Sequence, residues 1–311
     1  MTAQAPRVGV VVLNWRGEAE TRRCLAALAE QAGVALDVLV VDNGSGEAEV
    51  ERLRALTRVL ALGANFGFAH GMNAGAAELL AAGCTHVLLL NNDCVLAPGA
   101  IATLLAAAAP LAVPTLWHGR PPARARCWYA GGTLGRWTLE PRHRHRPPPP
   151  GAAPEPVAFA TACAWLVTRA AWERLAGLDA RFFLYHEDVD ACLRARAAGL
   201  TPVWVPAAEG WHVGGAATGS ERGPAPVLDY YDTRNGLHVL RLRARGLARL
   251  TAAAWWAGVR LPRKLLRVLG RPERRAHARA VALGVRDGLL GRVGPAPEGL
   301  QAPLAPGPSP A

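Results

Sequence analysis

The chain has 311 residues, a mass of 32.8 kDa and 51% apolar side chains, which supports a sizeable core and excludes wholesale disorder. Its 33 glycines and 25 prolines follow no collagen-like period, and there is no helical repeat, heptad run or zinc-finger spacing, so fibrous, solenoid and zinc-finger classes fall away. The net charge of +11 is unevenly placed: residues 1–220 carry 19 basic and 18 acidic side chains, residues 221–311 carry 16 and 6. A nearly neutral body bearing a basic C-terminal segment suggests a polyanionic partner, a membrane surface or nucleic acid.

The opening stretch, Met1 to Trp15, has no charged n-region and no cleavage site after an apolar run, so no signal peptide is expected. Six cysteines (Cys24, Cys84, Cys94, Cys127, Cys163, Cys192) lie far apart without a C-x-x-C. They are expected to be reduced, mostly buried thiols of a cytoplasmic protein.

Val8–Leu13 is an unbroken apolar run closed by Asn14, the mark of a strand buried on both faces. Leucine and alanine at helical spacing predict a helix over Glu18–Gln31. Asp37–Val41 is a second buried strand, ended by the turn Asp42-Asn43-Gly44-Ser45. A helix over Ala48–Leu56, a short strand over Val59–Leu62 and an alanine-rich helix over Gly71–Ala82 follow. His86–Leu90 is a strand stopped by Asn91-Asn92-Asp93, and Pro98–Ala109 is helical. This alternation predicts an open, mostly parallel α/β sheet. Asn14, Asp42, Asn65, Asn91 and Asp93 then cluster at the carboxyl ends of strands, the edge where such sheets bind ligands.

Residues 118–156 change character, and Arg142-His143-Arg144-His145-Arg146 before four prolines reads as an exposed basic loop. Val157–Thr168 resumes as strand, Ala170–Leu175 as a short helix, Leu184–Ala198 as a helix led by acids, Thr201–Val205 as strand and Trp211–Gly219 as a glycine-rich loop. From Tyr230 to about Gly270 the chain reads as helical and basic, and its last residues as a loose tail.

Several of these segments can carry chemistry. A carboxylate at Asp42 can accept from a nucleobase or ribose hydroxyl, and equally can cap a turn. The stretch Asn65 to Gly75 opens a helix; its glycines admit backbone close to a ligand, and a helix N-terminus favours a diphosphate, although neither G-x-G-x-x-G nor a Walker A loop is present. Asp93 follows a buried strand, where one or two carboxylates typically hold a divalent cation together with nucleotide phosphates. Between Phe182 and Arg194, three acids occur within four positions beside aromatic residues. Burial there raises a carboxylate towards the range of a useful base. Asp190 and Arg194 fit an ordinary i,i+4 pair and Asp188 fits an N-cap. Two adjacent acids exceed what capping needs, which keeps Asp188 as the candidate base. His212, after a strand and its turn, reads either as structural or as completing a metal site with Asp93.

Taken together, Val10 to Trp15, Val40 to Ser45, Asn65 to Ala69, Leu90 to Asp93, Phe183 to Asp190, His212 and the closing Gly288 to Arg292 resemble the family 2 glycosyltransferases of the GT-A fold, and most of all the rhamnosyltransferase-type enzymes of bacterial surface-polysaccharide assembly. The resemblance covers roughly residues 7–294. It implies an inverting, metal-dependent transfer of a sugar from a nucleoside diphosphate donor to a glycan or lipid-linked acceptor. L-rhamnose from dTDP-rhamnose is the leading donor, with a UDP-sugar as the alternative. It further implies that Asp42 contacts the nucleoside and that Asn14, Asn43, Asn65, Gly67, Asn73, Asn91 and Asn92 lie along the donor pocket. Asp93 becomes the metal-binding acid of a D-x-D-like motif and His212 the second protein ligand of Mg2+ or Mn2+. Asp188 becomes the catalytic base, with Glu187 beside it on the acceptor side. In this sequence Asn91 replaces the first acid of D-x-D, the segment Ala160 to Ala164 lacks the family's usual glycine, His186 stands where an aromatic is usual, and Ala191 replaces a common leucine. The expected organisation is a donor-binding half over 1–110, an acceptor-side half over 111–225 and a basic helical segment over 226–311.

In that last segment Arg241, Arg245 and Arg249 share one helical face, Arg260, Lys264, Arg267 and Arg271 another, and Leu261, Leu265, Val268 and Leu269 a third, with Trp255-Trp256 between. Leu250–Leu261 is too short to span a bilayer, so a peripheral contact with an anionic membrane surface, on the cytoplasmic face, is expected. Leucines packed on the catalytic domain beneath solvated arginines are the other reading. No nucleic-acid partner is expected, since the body is neutral and lacks a helix-turn-helix or RNP signature. A catalytically silent scaffold is disfavoured by intact Asp93, Asp188 and His212.

Overall fold

The first apolar run becomes β1 (Arg7–Asn14), buried at five consecutive positions because it lies in the middle of the sheet between two parallel neighbours. The computed structural model describes residues 6–214, 225–271 and 273–300. After β1 the chain alternates as the sequence pattern requires: α1 (Glu18–Ala29), β2 (Ala35–Asp42), α2 (Glu47–Arg54), β3 (Arg58–Ala61), α3 (Phe68–Ala81) and β4 (His86–Asn91). Strands β3, β2, β1 and β4 are adjacent in that order and all parallel. Register sets Asn14 beside Asp42 and Leu13 beside Asn91, so the polar strand ends meet at one edge.

The second half continues the same sheet. It runs through β5 (Cys94–Leu96), α4 (Ala100–Ala106), β6 (Leu111–His118), β7 (Cys127–Tyr129), β8 (Gly132–Leu134), β9 (Pro141–His143), β10 (Glu155–Pro156), β11 (Ala164–Thr168), α5 (Arg169–Leu175), α6 (Glu187–Ala197) and β12 (Val203–His212). Strand β11 lies antiparallel between β4 and β6, β12 runs parallel to β6, and β5 and β10 flank β12 antiparallel. The β8–β9 ribbon stands apart, so Arg142 and His143 belong to a strand and not to the exposed loop expected from composition.

Three expected boundaries move for physical reasons. The strand expected over Val157–Thr168 contracts to β11. The strand expected to end at Val205 continues to His212: Pro206 cannot donate to the ladder, the register slips between Val205 and Glu209, and pairing then resumes. Trp211 and His212 are therefore strand residues, while residues 215–219 of the expected loop lie outside the described residues. The acidic helix starts at Glu187, because Tyr185 and His186 both adopt left-handed backbone, with φ of 68° and 70°. His186, not Asp188, is thus the N-cap residue.

The basic segment divides into α7 (Pro226–Arg243), α8 (Gly246–Trp255), a π-helical turn at Trp256–Arg260, α9 (Leu261–Leu269) and α10 (Arg274–Leu290). Helix α10, unforeseen in the sequence, packs along α7. A Cβ on Gly284 would lie 2.8 Å from the Tyr230 carbonyl oxygen and one on Gly288 2.7 Å from Leu237, so the two backbones approach closely only because both are glycine. The Pro/Gly-rich tail from 301 onward lies outside the described residues. All six cysteines are unpaired and buried. Among the described residues no helix is long and apolar enough to cross a membrane.

Candidate active site

At the carboxyl edge of β1 and β2, Asn14 is fully buried and its amide donates to Asp42 Oδ2 (2.8 Å) and Glu49 Oε1 (2.8 Å). Its Oδ1 accepts from the Thr21 hydroxyl at 2.7 Å. Asp42 Oδ1 accepts from the backbone N–H groups of Gly44 and Ser45, an Asx-turn, so both of its oxygens are engaged, one within its own turn and one by Asn14 at the end of β1. Asn43 donates to Asn65 Oδ1 (3.0 Å) and the Gly67 carbonyl (3.2 Å) and accepts from the Phe66 N–H (3.0 Å), which ties the β2 loop to the entry of α3. Gly67 has φ of 89°, and a Cβ there would lie 2.4 Å from the Phe183 carbonyl oxygen. The next residue, Phe68, donates its N–H to that same oxygen at 2.7 Å. The donor-side loop is thereby pinned to the segment that leads into Asp188.

Two of the asparagines expected along a donor pocket are occupied elsewhere. The Asn73 amide clamps both backbone groups of Leu178, donating to its carbonyl (2.7 Å) and accepting from its N–H (2.9 Å). Asn92 is buried and donates to Thr21 (3.1 Å) and the Gly17 carbonyl (3.3 Å). Both hold loops in place and do not reach out of them. Asn91, by contrast, ends β4 with a buried side-chain oxygen that has no partner.

Pairing of β5 with β12 sets His212 opposite Cys94, next to Asp93. Asp93 Oδ1 and His212 Nε2 stand 3.2 Å apart, and both side chains are almost fully buried. His212 Nδ1 is buried without a hydrogen-bond partner, and its ring meets the edge of Trp128, with centroids 4.4 Å apart. A carboxylate and an imidazole at this spacing suit a divalent cation. Among the described residues no group of three or more His, Cys, Asp or Glu side chains could hold an ion. An ion here would therefore need most of its ligands from phosphate oxygens and water, as Mg2+ usually does.

Glu187 and Asp188 open α6. Asp188 lines a cavity of about 640 Å³, and its Oδ1 accepts the Val189 N–H at 2.8 Å. Burial raises its carboxyl above the ordinary aspartate range. Glu187 is pushed well above its usual value, by burial and then by the charge of Asp188, and its Oε2 has no partner. Both carboxyls of this adjacent pair are thus held above their usual range, and Asp188 is the one that lines the cavity. Asp190 forms the structural pairs expected of it, with Arg194 at 2.7 Å, and adds Arg243 at 2.5 Å. Tyr185 links the two halves of the site: burial, then the charges of Glu187, Asp232 and Asp93, push its phenol up to about 12.

The sequence reading missed what holds this segment. Asn235 on α7 donates to the carbonyls of Leu184 (2.8 Å) and Tyr185 (2.9 Å), bracing the left-handed turn. Asp232, one turn earlier, meets His186 Nε2 at 3.0 Å, Arg260 at 2.8 Å, and Lys264. Burial alone would raise the Asp232 carboxyl, but Arg260, His186 and Lys264 outweigh it and hold it well below the usual range. The available signal was a run of polar residues, Asp229 to Asn235, inside a helix that the structure buries nearly all round.

Lys264 on α9, and Arg260 and Arg271 on either side of that helix, are turned inward. Arg260, Lys264 and Arg271 pair with Glu140, Asp232 and Asp229, while Leu266 and Leu269 are 69% and 59% exposed. The expected basic helices are present, and their outer surface carries exposed arginines, Arg245, Arg249, Arg263 and Arg267 among them, as well as these leucines. Leu247, Leu250, Leu289 and Leu290 are also exposed.

A sheet of this order, with an acid–imidazole pair at its edge and a carboxylate lining a cavity, belongs to the open α/β class, whose ligands bind outside the carboxyl ends of the strands. Residues 6–228 match the model of the glycosyltransferase-like family 2. Over 250 residues the chain is 30% identical to the N-acetylglucosaminyl-diphospho-decaprenol L-rhamnosyltransferase of Mycobacterium tuberculosis, covering 70% of this chain and 79% of that one. The mannosyltransferase PcManGT of Pyrobaculum calidifontis, solved with GDP-Man and Mn2+, superposes with a TM-score of 0.53 and 15% identity, covering 93% of this chain and 89% of that one. GalNAc-T7, solved with UDP, GalNAc and Mn2+, gives 0.55 and 15% over 68% of this chain, which spans only 44% of that protein. The chain belongs to the family 2 glycosyltransferases, and its fold is GT-A.

Proposed function

We propose that this enzyme transfers L-rhamnose from dTDP-rhamnose to a sugar on a lipid-linked acceptor in surface-polysaccharide synthesis, with inversion at the anomeric carbon. The observation that carries the reading is Asp188: a carboxylate raised by burial, on the wall of a cavity large enough for a sugar. Similarity to a rhamnosyltransferase whose name specifies a lipid-diphosphate acceptor supports the donor and acceptor classes.

In this mechanism Asp188 takes the proton of the acceptor hydroxyl as its oxygen attacks the anomeric carbon, and the nucleoside diphosphate departs from the opposite face. The loops braced by Asn14, Asp42, Asn43, Asn65 and Gly67 shape the donor side. Asp93 and His212 would hold Mg2+ or Mn2+, with Asn91 as a neutral neighbour in place of a second acid. Such an ion, when bound, offsets charge on the leaving diphosphate. The exposed leucines of α8, α9 and α10 rest on the membrane surface where a lipid-linked acceptor resides, on its cytoplasmic face.

The test is Asp188→Asn, assayed for transfer and, separately, for donor-induced thermal stabilisation across dTDP-, UDP- and GDP-sugars with and without Mg2+ or Mn2+. Transfer falls by about 10²–10⁴ while stabilisation by dTDP-rhamnose persists. Near-normal transfer by the variant removes Asp188 as base, and stabilisation by a UDP-sugar alone reassigns the donor.

A further inference from the structure

The cavity beside Asp188 is walled on its far side by α9 and β9, and its charges do not balance. Six cationic side chains line it (Arg142, Arg260, Arg263, Lys264, Arg267, Arg271) against four acids (Glu140, Asp188, Asp229, Asp232). Three of the cations are committed to those acids. Arg260 bonds Glu140 (2.9 Å) and Asp232 (2.8 Å), Lys264 lies 3.3 Å from Asp229 and also bonds Asp232, and Arg271 bonds Asp229 (2.8 Å). These pairs fasten α9 to α7. Asp188 serves as base. Among the described residues the other three, Arg142, Arg263 and Arg267, meet no carboxylate; Arg263 only stacks over the Trp255 ring, 5.8 Å from its centroid.

Arg142, Arg263 and Arg267 are solvent-exposed where they line the cavity, and three such guanidinium groups without counter-ions, on the wall of a site that must admit an acceptor, suit an anionic acceptor. Guanidinium presents paired donors that match phosphate oxygens, and holds its charge at any working pH. We infer that Arg142, Arg263 and Arg267 form a subsite for the diphosphate that links the acceptor sugar to its lipid. The inference rests on the reading of Asp188 as base, since that reading makes this cavity the acceptor's. The ion-paired Arg260, Lys264 and Arg271 are positioning residues in this scheme: they set the helix so that Arg263 and Arg267, one turn apart, face the cavity together.

The experiment compares wild type with the double variant Arg263→Ala/Arg267→Ala on two acceptors, N-acetylglucosamine carried on farnesyl diphosphate and the same sugar as a neutral octyl glycoside. The readout is the ratio of kcat/KM for the two. Wild type favours the diphosphate acceptor, and the double variant loses that preference by about tenfold or more, each lost charge-assisted contact being worth about that factor. Arg263→Lys/Arg267→Lys restores part of it. An unchanged ratio overturns the inference. A second arm reads binding alone: farnesyl diphosphate is titrated into protein whose donor site is filled with dTDP, and phosphatidylglycerol vesicles are floated in parallel. The inference expects at least tenfold weaker farnesyl diphosphate binding by the double variant and unchanged flotation. Loss confined to the vesicles assigns these arginines to lipid headgroups and overturns it. Asp188→Asn separates the two readings, because it abolishes transfer yet retains farnesyl diphosphate binding. If Asp188→Asn keeps its transfer rate, the base assignment fails whatever the arginines bind.

Discussion

The loops at the carboxyl edge of the parallel strands and the helices behind the acceptor cavity are held by different physics. On the strand side, neutral amides do most of the fastening: Asn43 to Asn65 and Gly67, Asn73 to the backbone of Leu178, Asn92 to Thr21 and Gly17. On the helix side, charges do it: Asp229, Asp232 and Glu140 against Arg260, Lys264 and Arg271. Amide clamps fix geometry without titrating, whereas a charged network tunes neighbouring carboxyls and can leave surplus charge facing a ligand. On the proposed reading, the donor would be met by a shape set in backbone and the acceptor by a field set in side chains.

Asp188 lies where the two regions join, so it gives the largest expected effect. Its asparagine variant loses about 10²–10⁴ in transfer rate, and both regions should stay intact by circular dichroism and thermal denaturation. A parallel loss of fold would mean that Asp188 serves structure. The next effect breaks the strand side. Gly67→Ala places a side chain at φ of 89° and 2.4 Å from a carbonyl oxygen of Phe183. With ψ of 169° this is a backbone region that essentially only glycine adopts, and holding another residue there costs about 1–3 kcal/mol. Because the same oxygen receives the Phe68 N–H, the lost fit also displaces the segment leading to Asp188, and kcat falls together with Tm. A variant with normal kcat and Tm would show the approach to be slack.

The helix side breaks through charge. Asp232→Ala leaves Arg260 and Lys264 short of a counter-ion, at a cost on the order of 2 kcal/mol. That is below the 3–5 of a fully buried pair, because Asp232 is 38% exposed. Hydrogen exchange should quicken in α9 while α3, fastened by Asn73, keeps its protection. The pH dependence has a definite sign. The Asp232 carboxyl is held below its unfolded value, so its stabilisation is present above the ordinary aspartate pKa and is lost as pH falls through the depressed folded value. Acid therefore loosens α9 before α3 in wild type, and this part of the pH dependence disappears in Asp232→Ala. Equal acid sensitivity of both helices would erase the distinction between the two regions.

Legibility in the sequence divides along the same line. Strands β1 to β4 could be read because each is an apolar run ended by a polar residue, and burial on both faces leaves no other pattern. The acids of α6 and the pairing of Asp190 with Arg194 could be read from spacing. Helix α10 could not: its buried face is made of His277, Ala280, Val281, Gly284, Asp287 and Gly288, a set with little hydrophobic signal, whose glycines matter because α7 comes so close. His212 was seen as a residue but assigned to a loop, since a proline and a register slip hid the continuation of β12. The direction of the α9 charges was beyond reach too. A basic and apolar helix reads the same whichever face turns inward, and only Asp229 and Asp232 on α7 decide it.

The smallest expected effect concerns Glu187 and sharpens the picture of how charge is apportioned at the base. Two adjacent buried acids cannot both ionise cheaply, and burial raises both. Asp188 lines the cavity and Glu187 does not, so the reading of Asp188 as base puts the charge on Asp188 and leaves the proton on Glu187. A glutamine is nearly isosteric with a protonated glutamic acid, so Glu187→Gln should keep transfer within about tenfold of wild type, against 10²–10⁴ for Asp188→Asn. The acid limb of its kcat/KM profile should still lie above the ordinary aspartate range, since burial, the main cause of the Asp188 shift, is untouched. If Glu187→Gln instead proved as damaging as Asp188→Asn, the ionised member of the pair would be Glu187, and the proton of the acceptor hydroxyl would go to that carboxylate.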